Sequence, residues 1–476
     1  MLRRFTFPVR GLAVLPLVAA ASAGLLAAPA RADTPPYGTS SNDTPAPCAV
    51  GIVNCPTQDA FFSPPSNLGT LADGAVVGSR SATLATATPA VKAAYTITYR
   101  SEDSFGAPVL DSGTILLPTT PWAGTGAQPL VSWQFPEDSV GSQCRPSYAL
   151  AHTGTNGNVD AEQGLVHSLL AQGIIVVAPD FQGPAEMYEV GPQSGHAVLD
   201  GIRAAENFTP TGLSRLTRVA LNGYSGGAYA TGWGAELAKS YASDLTIVGA
   251  AMGGTPADQA VTGHYLDGTV FSGLALLTTI ALDRAYPALG VYDDLNDTGK
   301  QLFADNQGSC VGAATKYAFA RFDTYTTAPN FIDSPAIAAT LAHDDLGQAP
   351  PAFPVLNYHV YNDEIVPYNQ DQVLVKKYCQ GGTPVDHIRI PAADHVSGEA
   401  IAAPSVLAFL QARFQGTAFV SACQEIEAEP PLPQIPSITT PATPNRVLPE
   451  APAPVLLGVA GLAAGALVLR RRRTRP

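Results

Sequence analysis

From Arg218 to Ser240 three features follow one another without a gap: a short apolar run, a glycine-flanked serine, and a stretch of helical character. Arg218-Val219-Ala220-Leu221 reads as a strand and Gly226 onward as a helix. Ser225 of Gly223-Tyr224-Ser225-Gly226-Gly227 therefore falls on the turn between them. A turn this sharp strains the serine backbone, and side chains at the flanking positions would collide, which is what the glycines avoid. It aims Oγ over the sheet edge, where the helix N-terminus favours anionic states. A bare Gly-x-Ser-x-Gly arises by chance in a chain with 44 glycines, so the flanking strand and helix carry the argument. Ser225 is the candidate nucleophile.

The same alternation runs through the chain. Ala94–Tyr99 and Gly113–Leu117 alternate as strands do, and Leu130–Phe135 is another strand candidate. Gly173–Ala178 is a continuous apolar run of the kind buried on both faces of a parallel sheet. Leu245–Ala251, Val355–Val360 and His387–Ile390 complete the set, with helices expected at Gly195–Asn207, Gly226–Ser240 and Ser397–Phe414. Strands alternating with helices imply an α/β fold, a mostly parallel sheet with helices on both faces. Between Gly254 and Gln348 no sheet strand is legible. Thr269–Ala285 and Lys316–Phe322 read as helical, so residues 255–348 are expected to form a helical cap over the strand ends.

A serine hydroxyl needs a base, and the base an orienting acid. In a fold of this kind the order along the chain is Ser, acid, His. Five histidines follow Ser225. His359 and His387 lie in expected strands, where a core or surface role fits, and His264 and His343 fall in the cap. His395 alone occupies a loop past the last strand, in Ala393-Asp394-His395-Val396. Asp363 sits in a turn at the carboxyl end of the Val355–Val360 strand, with Glu364 as its rival. The residue after the nucleophile, Gly226, would supply one oxyanion donor through its backbone N–H, and the second should come from the loop after Leu130–Phe135.

The ends of the chain read differently. Arg3, Arg4 and Arg10 precede an apolar run from Gly11 to Ala28, and Ala30-Arg31-Ala32 fits a cleavage site, so residues 1–32 read as a signal peptide. Residues 33–60 look like an extended Pro/Thr-rich arm, residues 61–425 like the catalytic body, and residues 426–452 like a Pro-rich linker. An apolar stretch up to Leu469 then meets Arg470, Arg471, Arg472 and Arg473, as in a membrane span with a cytoplasmic basic end, so residues 453–476 are expected to tether the exported body at the membrane. Leu448-Pro449-Glu450-Ala451-Pro452 departs from a Leu-Pro-x-Thr-Gly sorting motif at its last two positions, which favours a plain membrane anchor over covalent wall attachment. Nine of the 26 basic residues lie in these two ends, leaving 17 against 39 acidic ones. A body this acidic excludes nucleic acid as a partner. Cys48, Cys55, Cys144, Cys310, Cys379 and Cys423 make an even number in an exported chain, which suggests disulfides, and no CxxC or His cluster suggests a metal.

The pentapeptide around Ser225, Asp363-Glu364-Ile365-Val366-Pro367 and Asp394-His395 together resemble the secretory lipase family. So do Pro136-Glu137-Asp138-Ser139, Cys144-Arg145-Pro146-Ser147-Tyr148, Val177-Ala178-Pro179-Asp180-Phe181-Gln182-Gly183-Pro184 and the segment Ser194–Arg203. The likeness is spread over about residues 60 to 425. It implies an α/β-hydrolase with an inserted cap that cleaves carboxylic esters, often triacylglycerols; acyl transfer through a serine needs no cofactor, and the chain is expected to be a monomer. It implies a triad of Ser225, Asp363 and His395, an oxyanion hole of Gly226 and Asp138, and the pairings Cys144 with Cys310 and Cys379 with Cys423. Cys48 and Cys55 are left as a local pair. An ionised Asp138 would repel an oxyanion, so it either donates through its backbone or carries a proton.

Other readings share the fold: a peptidase, a carbohydrate-ester esterase, or an inactive binding protein. The apolar cap segment Thr269–Leu277 suits an acyl pocket and equally an ordinary cap core.

Overall fold

A computed structural model describes residues 45–52, 54–328, 330–430 and 432. The expected signal peptide (1–32) and tail (453–476) lie outside the described residues, as do residues 33–44 of the arm and most of the linker. Among the described residues no helix is long and apolar enough to cross a membrane.

One nine-stranded sheet runs through the molecule in the order β1-β2-β3-β5-β4-β6-β7-β8-β9. Its members are β1 Val76–Ser81, β2 Val91–Glu102, β3 Pro108–Pro118, β4 Leu130–Gln134, β5 Ile175–Pro179, β6 Arg218–Tyr224, β7 Thr246–Gly253, β8 Val355–Val360 and β9 Val385–Ile390. From β5 to β9 neighbouring strands pair parallel, while β1, β2 and β3 form an antiparallel edge. The parallel strands are the apolar runs of the sequence. All five residues of β4 and of β5 are buried, since helices cover both faces. Helices Gly191–Asn207, Gly226–Tyr241 and Tyr368–Gln380 pack on one face. Gly157–Leu170 and His395–Phe414 cover the other.

The order of strands locates the site. The connection from β4 leads to β5 on one side, and that from β6 leads to β7 on the other. The carboxyl ends of β4 and β6 thus flank the point where the winding reverses, where open α/β sheets leave a crevice for ligands.

Between β7 and β8 the chain forms the cap, with helices Gln259–Leu266, Ser272–Ala285, Asp297–Asp305 and Pro335–His343. Its apolar residues form two clusters, one around Leu274, Leu277 and Ile280 that takes in Val140 and Tyr188 of the body, another around Tyr286, Phe331 and Leu341 that takes in Met187 and Val190. The helix expected over Lys316–Phe322 is absent. Ala313–Lys316 and Phe322–Tyr325 are single turns, and Phe319 between them takes φ 66°, which no right-handed helix accommodates.

The described part of the N-terminal arm is docked rather than extended. Ala46 is buried, the Ser142 N–H donates to Pro47 O, and Cys48–Cys55 closes a local loop. The other two disulfides are Cys144–Cys310 and Cys379–Cys423.

Candidate active site

Ser225 occupies the turn between β6 and the helix Gly226–Tyr241 with φ 53° and ψ −126°, a conformation costly for a non-glycine residue. Neighbouring backbone holds it there. Its N–H donates to Gly253 O at 2.9 Å, and its carbonyl accepts from Tyr229 N at 3.0 Å. The glycines around it are sterically required. A Cβ on Gly223 would stand 2.2 Å from Gly227 O, and one on Gly227 2.0 Å from Gln134 O.

His395 opens the helix His395–Phe414. Asp394 caps that helix, accepting from Ser397 N at 2.9 Å, and so faces away from Ser225. The His395 ring places Nε2 2.8 Å from Ser225 Oγ and Nδ1 2.6 Å from Asp363 Oδ2. Asp363 is fixed in turn. Its Oδ1 accepts from the N–H groups of Ile365 (2.9 Å) and Val366 (2.8 Å), and its carbonyl accepts from the hydroxyl of Tyr265 in the cap (2.9 Å). Burial alone would raise the Asp363 carboxyl. The charges and hydrogen bonds of His395 and His359 outweigh it and hold the group well below the usual range. Glu364, the rival acid, accepts from the backbone N–H of His395 at 3.0 Å instead. It orients the helix start and leaves the ring alone.

The loop after β4 passes beneath the turn, buried from Phe135 to Cys144. Asp138 within it takes φ 44°, another left-handed non-glycine backbone. Its Oδ2 accepts from Asn158 Nδ2 at 2.9 Å, while its buried Oδ1 has no partner. That oxygen lies 2.2 Å from where a Cβ on Gly226 would be, so Gly226 must be glycine for the carboxyl to reach the start of the helix. Gly226 N–H is among the first in its helix, which have no acceptor within it. Burial pushes the Asp138 carboxyl up to about 6, against the lowering effects of His395 and of the Asn158 hydrogen bond.

From Ser225 a pocket of about 650 Å³, counted out to its solvent mouth, runs into the cap. Leu266, Leu274, Leu282, Phe331, Ile337 and Leu341 line it, with Tyr188 and Glu189 near the serine. The apolar segment flagged in the sequence divides its work, since Leu274 and Ala275 face the pocket while Leu277 is cap core.

Known proteins share this arrangement of chain. The pattern of the family described as secretory lipase matches residues 151–422. Lipase A of Moesziomyces aphidis is 33% identical over 442 residues, covering 90% of this chain and 91% of that protein. The chain belongs to the secretory lipase family. The crystal structure of Candida antarctica lipase A in its closed state superposes with a TM-score of 0.73 at 32% identity, covering 82% of this chain and 92% of that one. The fold is that of an α/β-hydrolase. A Mycobacterium tuberculosis relative, 33% identical over 370 residues and covering 76% of this chain and 83% of its own length, is named a probable inactive lipase. Membership alone therefore does not decide activity.

Ser225, Asp363, His395, Gly226 and Asp138 are the residues that sequence reasoning singled out, and the structure brings all five together. It adds three that the sequence did not single out, and a fourth, His359, to which sequence reasoning assigned a core or surface role. Asn158 holds the Asp138 carboxyl, Tyr265 holds the Asp363 backbone, His359 lies behind Asp363, and Glu189 enters the pocket wall. Glu189 takes φ 61°. Its Oε2 accepts from Gln259 Nε2 at 2.6 Å, and burial pushes its carboxyl well up. A polar residue amid an apolar stretch was the only signal available, and sequence alone does not tell such a residue from a surface one.

Proposed function

We propose that this secretory lipase family member is an active serine hydrolase of lipid esters, with Ser225 as nucleophile, His395 as base and Asp363 as orienting acid. The supporting observation is the hydrogen-bonded line from Ser225 Oγ through both ring nitrogens of His395 to Asp363, at the mouth of an apolar pocket. His395 takes the Oγ proton as Ser225 attacks the ester carbonyl, and the alcohol leaves with that proton. Water then releases the acid by the same route. Acyl chains are the substrate part suited to the apolar cap lining. Turnover of p-nitrophenyl esters should rise with acyl length until the pocket is filled. Cleavage of peptide amides with no ester turnover would overturn the reading.

Gly226 N–H and the Asp138 carboxyl are the proposed oxyanion donors. The protonated acid donates from the otherwise unpaired Oδ1, and the ionised form opposes an oxyanion. Since the group titrates at about 6, the donor is present below that pH and lost as pH rises through it. The kcat/KM profile should therefore fall on its alkaline side from about pH 6. Asp138→Asn, which keeps an N–H donor at every pH, should remove that limb, and Asp138→Leu should lose about 10²–10³-fold in kcat below about pH 6, where the wild-type donor is present, and less above it. An alkaline limb unchanged in Asp138→Asn would assign the donor to backbone instead.

Three disulfides and the apolar N-terminal run support export, and the Arg-ended apolar tail supports tethering at the outer membrane face. Fractionation of cells expressing the full chain, with and without residues 453–476, tests the tether.

A further inference from the structure

Behind Asp363, on the side away from His395, a second histidine is sealed in the protein. His359, on β8, has no exposed side-chain surface. Its Nε2 stands 2.9 Å from Val366 O and 3.4 Å from Asp363 Oδ2. Its Nδ1 stands 3.4 Å from Oδ1 of Asp371, on the helix Tyr368–Gln380. Asp371 Oδ2 in turn accepts from Nε2 of His387 on β9 at 2.9 Å. Both carboxylates are fully buried, and His387 nearly so. The Tyr368 ring packs edge-on against His359 at 5.7 Å. Among the described residues no lysine or arginine lies within ion-pair distance of Asp363 or Asp371.

Both nitrogens of His359 therefore face only oxygen acceptors. A neutral imidazole has one N–H and one bare nitrogen, and the bare nitrogen would here oppose an oxygen lone pair in a fully buried site. With two N–H groups the ring donates to Val366 O and turns a positive edge toward both carboxylates, Nδ1 and Asp371 Oδ1 standing at ion-pair distance without a hydrogen bond. Burial disfavours the charge, but Asp371 and Asp363 outweigh it and lift the ring to about 10.

We infer that His359 is a permanently charged positioning residue for Asp363, held in that state by Asp371 with His387 behind it, so that the Ser225–His395–Asp363 line continues inward through three more side chains. The inference rests on the proposed triad. Its chemical consequence is a divided charge: Asp363 is shared between two imidazoles instead of being spent wholly on His395. Removing the inner cation leaves the full carboxylate charge on His395 and favours its protonated form, which cannot accept the Ser225 proton. The other ionisable groups acting near His395 are Asp138, Glu364, Asp394, Glu399 and the Tyr224 phenol, none of them a cation, so none replaces the lost charge.

The experiment uses the full-length protein with ¹⁵N-labelled histidine. In the wild type at pH 8 both ring nitrogens of His359 should show imidazolium shifts, the signal being assigned by its loss in His359→Gln. A bare-nitrogen shift at pH 8 overturns the inference, whether or not any variant turns over substrate. In His359→Gln the acidic limb of kcat/KM should move up by about one pH unit, with KM unchanged. Asp371→Asn should return a neutral His359 in the ¹⁵N spectrum and move the limb in the same direction by less. A uniform drop in kcat with the limb unmoved would mean a merely structural role and would overturn the proposal. The spectrum reads His359 independently of turnover, so failure of the triad itself appears separately, as an absence of Ser225-dependent labelling by a fluorophosphonate.

Discussion

Ser225→Ala should abolish ester hydrolysis, lowering kcat by about five to six orders of magnitude, and should abolish fluorophosphonate labelling while the fold stays intact. The fold is expected to hold because the substitution deletes one oxygen and keeps the Cβ. The strained backbone at φ 53° is maintained by the Ser225 N–H to Gly253 and by the Tyr229 N–H to Ser225 O, and neither uses the side chain. Melting temperature should therefore match the wild type. Asp363→Asn should cost less, about 10⁴-fold, since the amide leaves His395 in the wrong tautomer but keeps Ser225 and both oxyanion donors in place. The ordering separates a working triad from a retained but idle one, a real distinction in a family with a member named inactive. Wild-type turnover equal to that of Ser225→Ala would place this chain beside that relative.

The central sheet and the candidate site were largely legible, because each announces itself locally. The buried strands are predominantly apolar, β5 without interruption, and Ser225, Asp363 and His395 each follow a strand at its carboxyl end. What stayed hidden depends on contacts distant in sequence. β1 is an edge strand with a half-exposed face and a glycine at 78, so it lacks an apolar pattern. The helix Tyr368–Gln380 buries Gln370, Asp371 and Gln372, which makes it look like a surface loop until their partners are placed. Those partners are themselves unexpected. Asp371 is buried because two histidines meet it, and a histidine in a strand gives no sign of what faces it. Asn158 reaches Asp138 across 20 positions and Tyr265 reaches Asp363 across 98, separations no local pattern encodes.

The strongest stability prediction concerns Cys144–Cys310, which spans 166 residues. In the chain-entropy model a closed loop of that length contributes about 5 kcal/mol, against about 4 for Cys379–Cys423 and about 2.5 for Cys48–Cys55, whose separations are 44 and 7. Paired Cys→Ala variants unfolded in guanidinium should follow that order. The long bridge should also matter to turnover, because of where it is anchored. Val140 N donates to Ser309 O at 2.9 Å and Gln143 Nε2 to Gly308 O at 2.7 Å, so the loop carrying Asp138 is bound to the cap on both sides of Gly141. Arg284 completes the joint, donating from Nη1 to Val140 O at 2.8 Å and from Nη2 to Gln307 O at 2.6 Å. Without the bridge the cap end of this joint gains freedom, and the left-handed backbone of Asp138 at φ 44° loses a neighbour that holds it. Cys144→Ala with Cys310→Ala should therefore lower kcat about tenfold under conditions where the protein is still folded. Removing Cys379–Cys423, which joins the helix Tyr368–Gln380 to the last described helix, Cys423–Ala428, should cost stability and leave kcat unchanged. Equal kcat losses from the two double variants would show that the bridge supports the fold as a whole and does not act through the Asp138 loop.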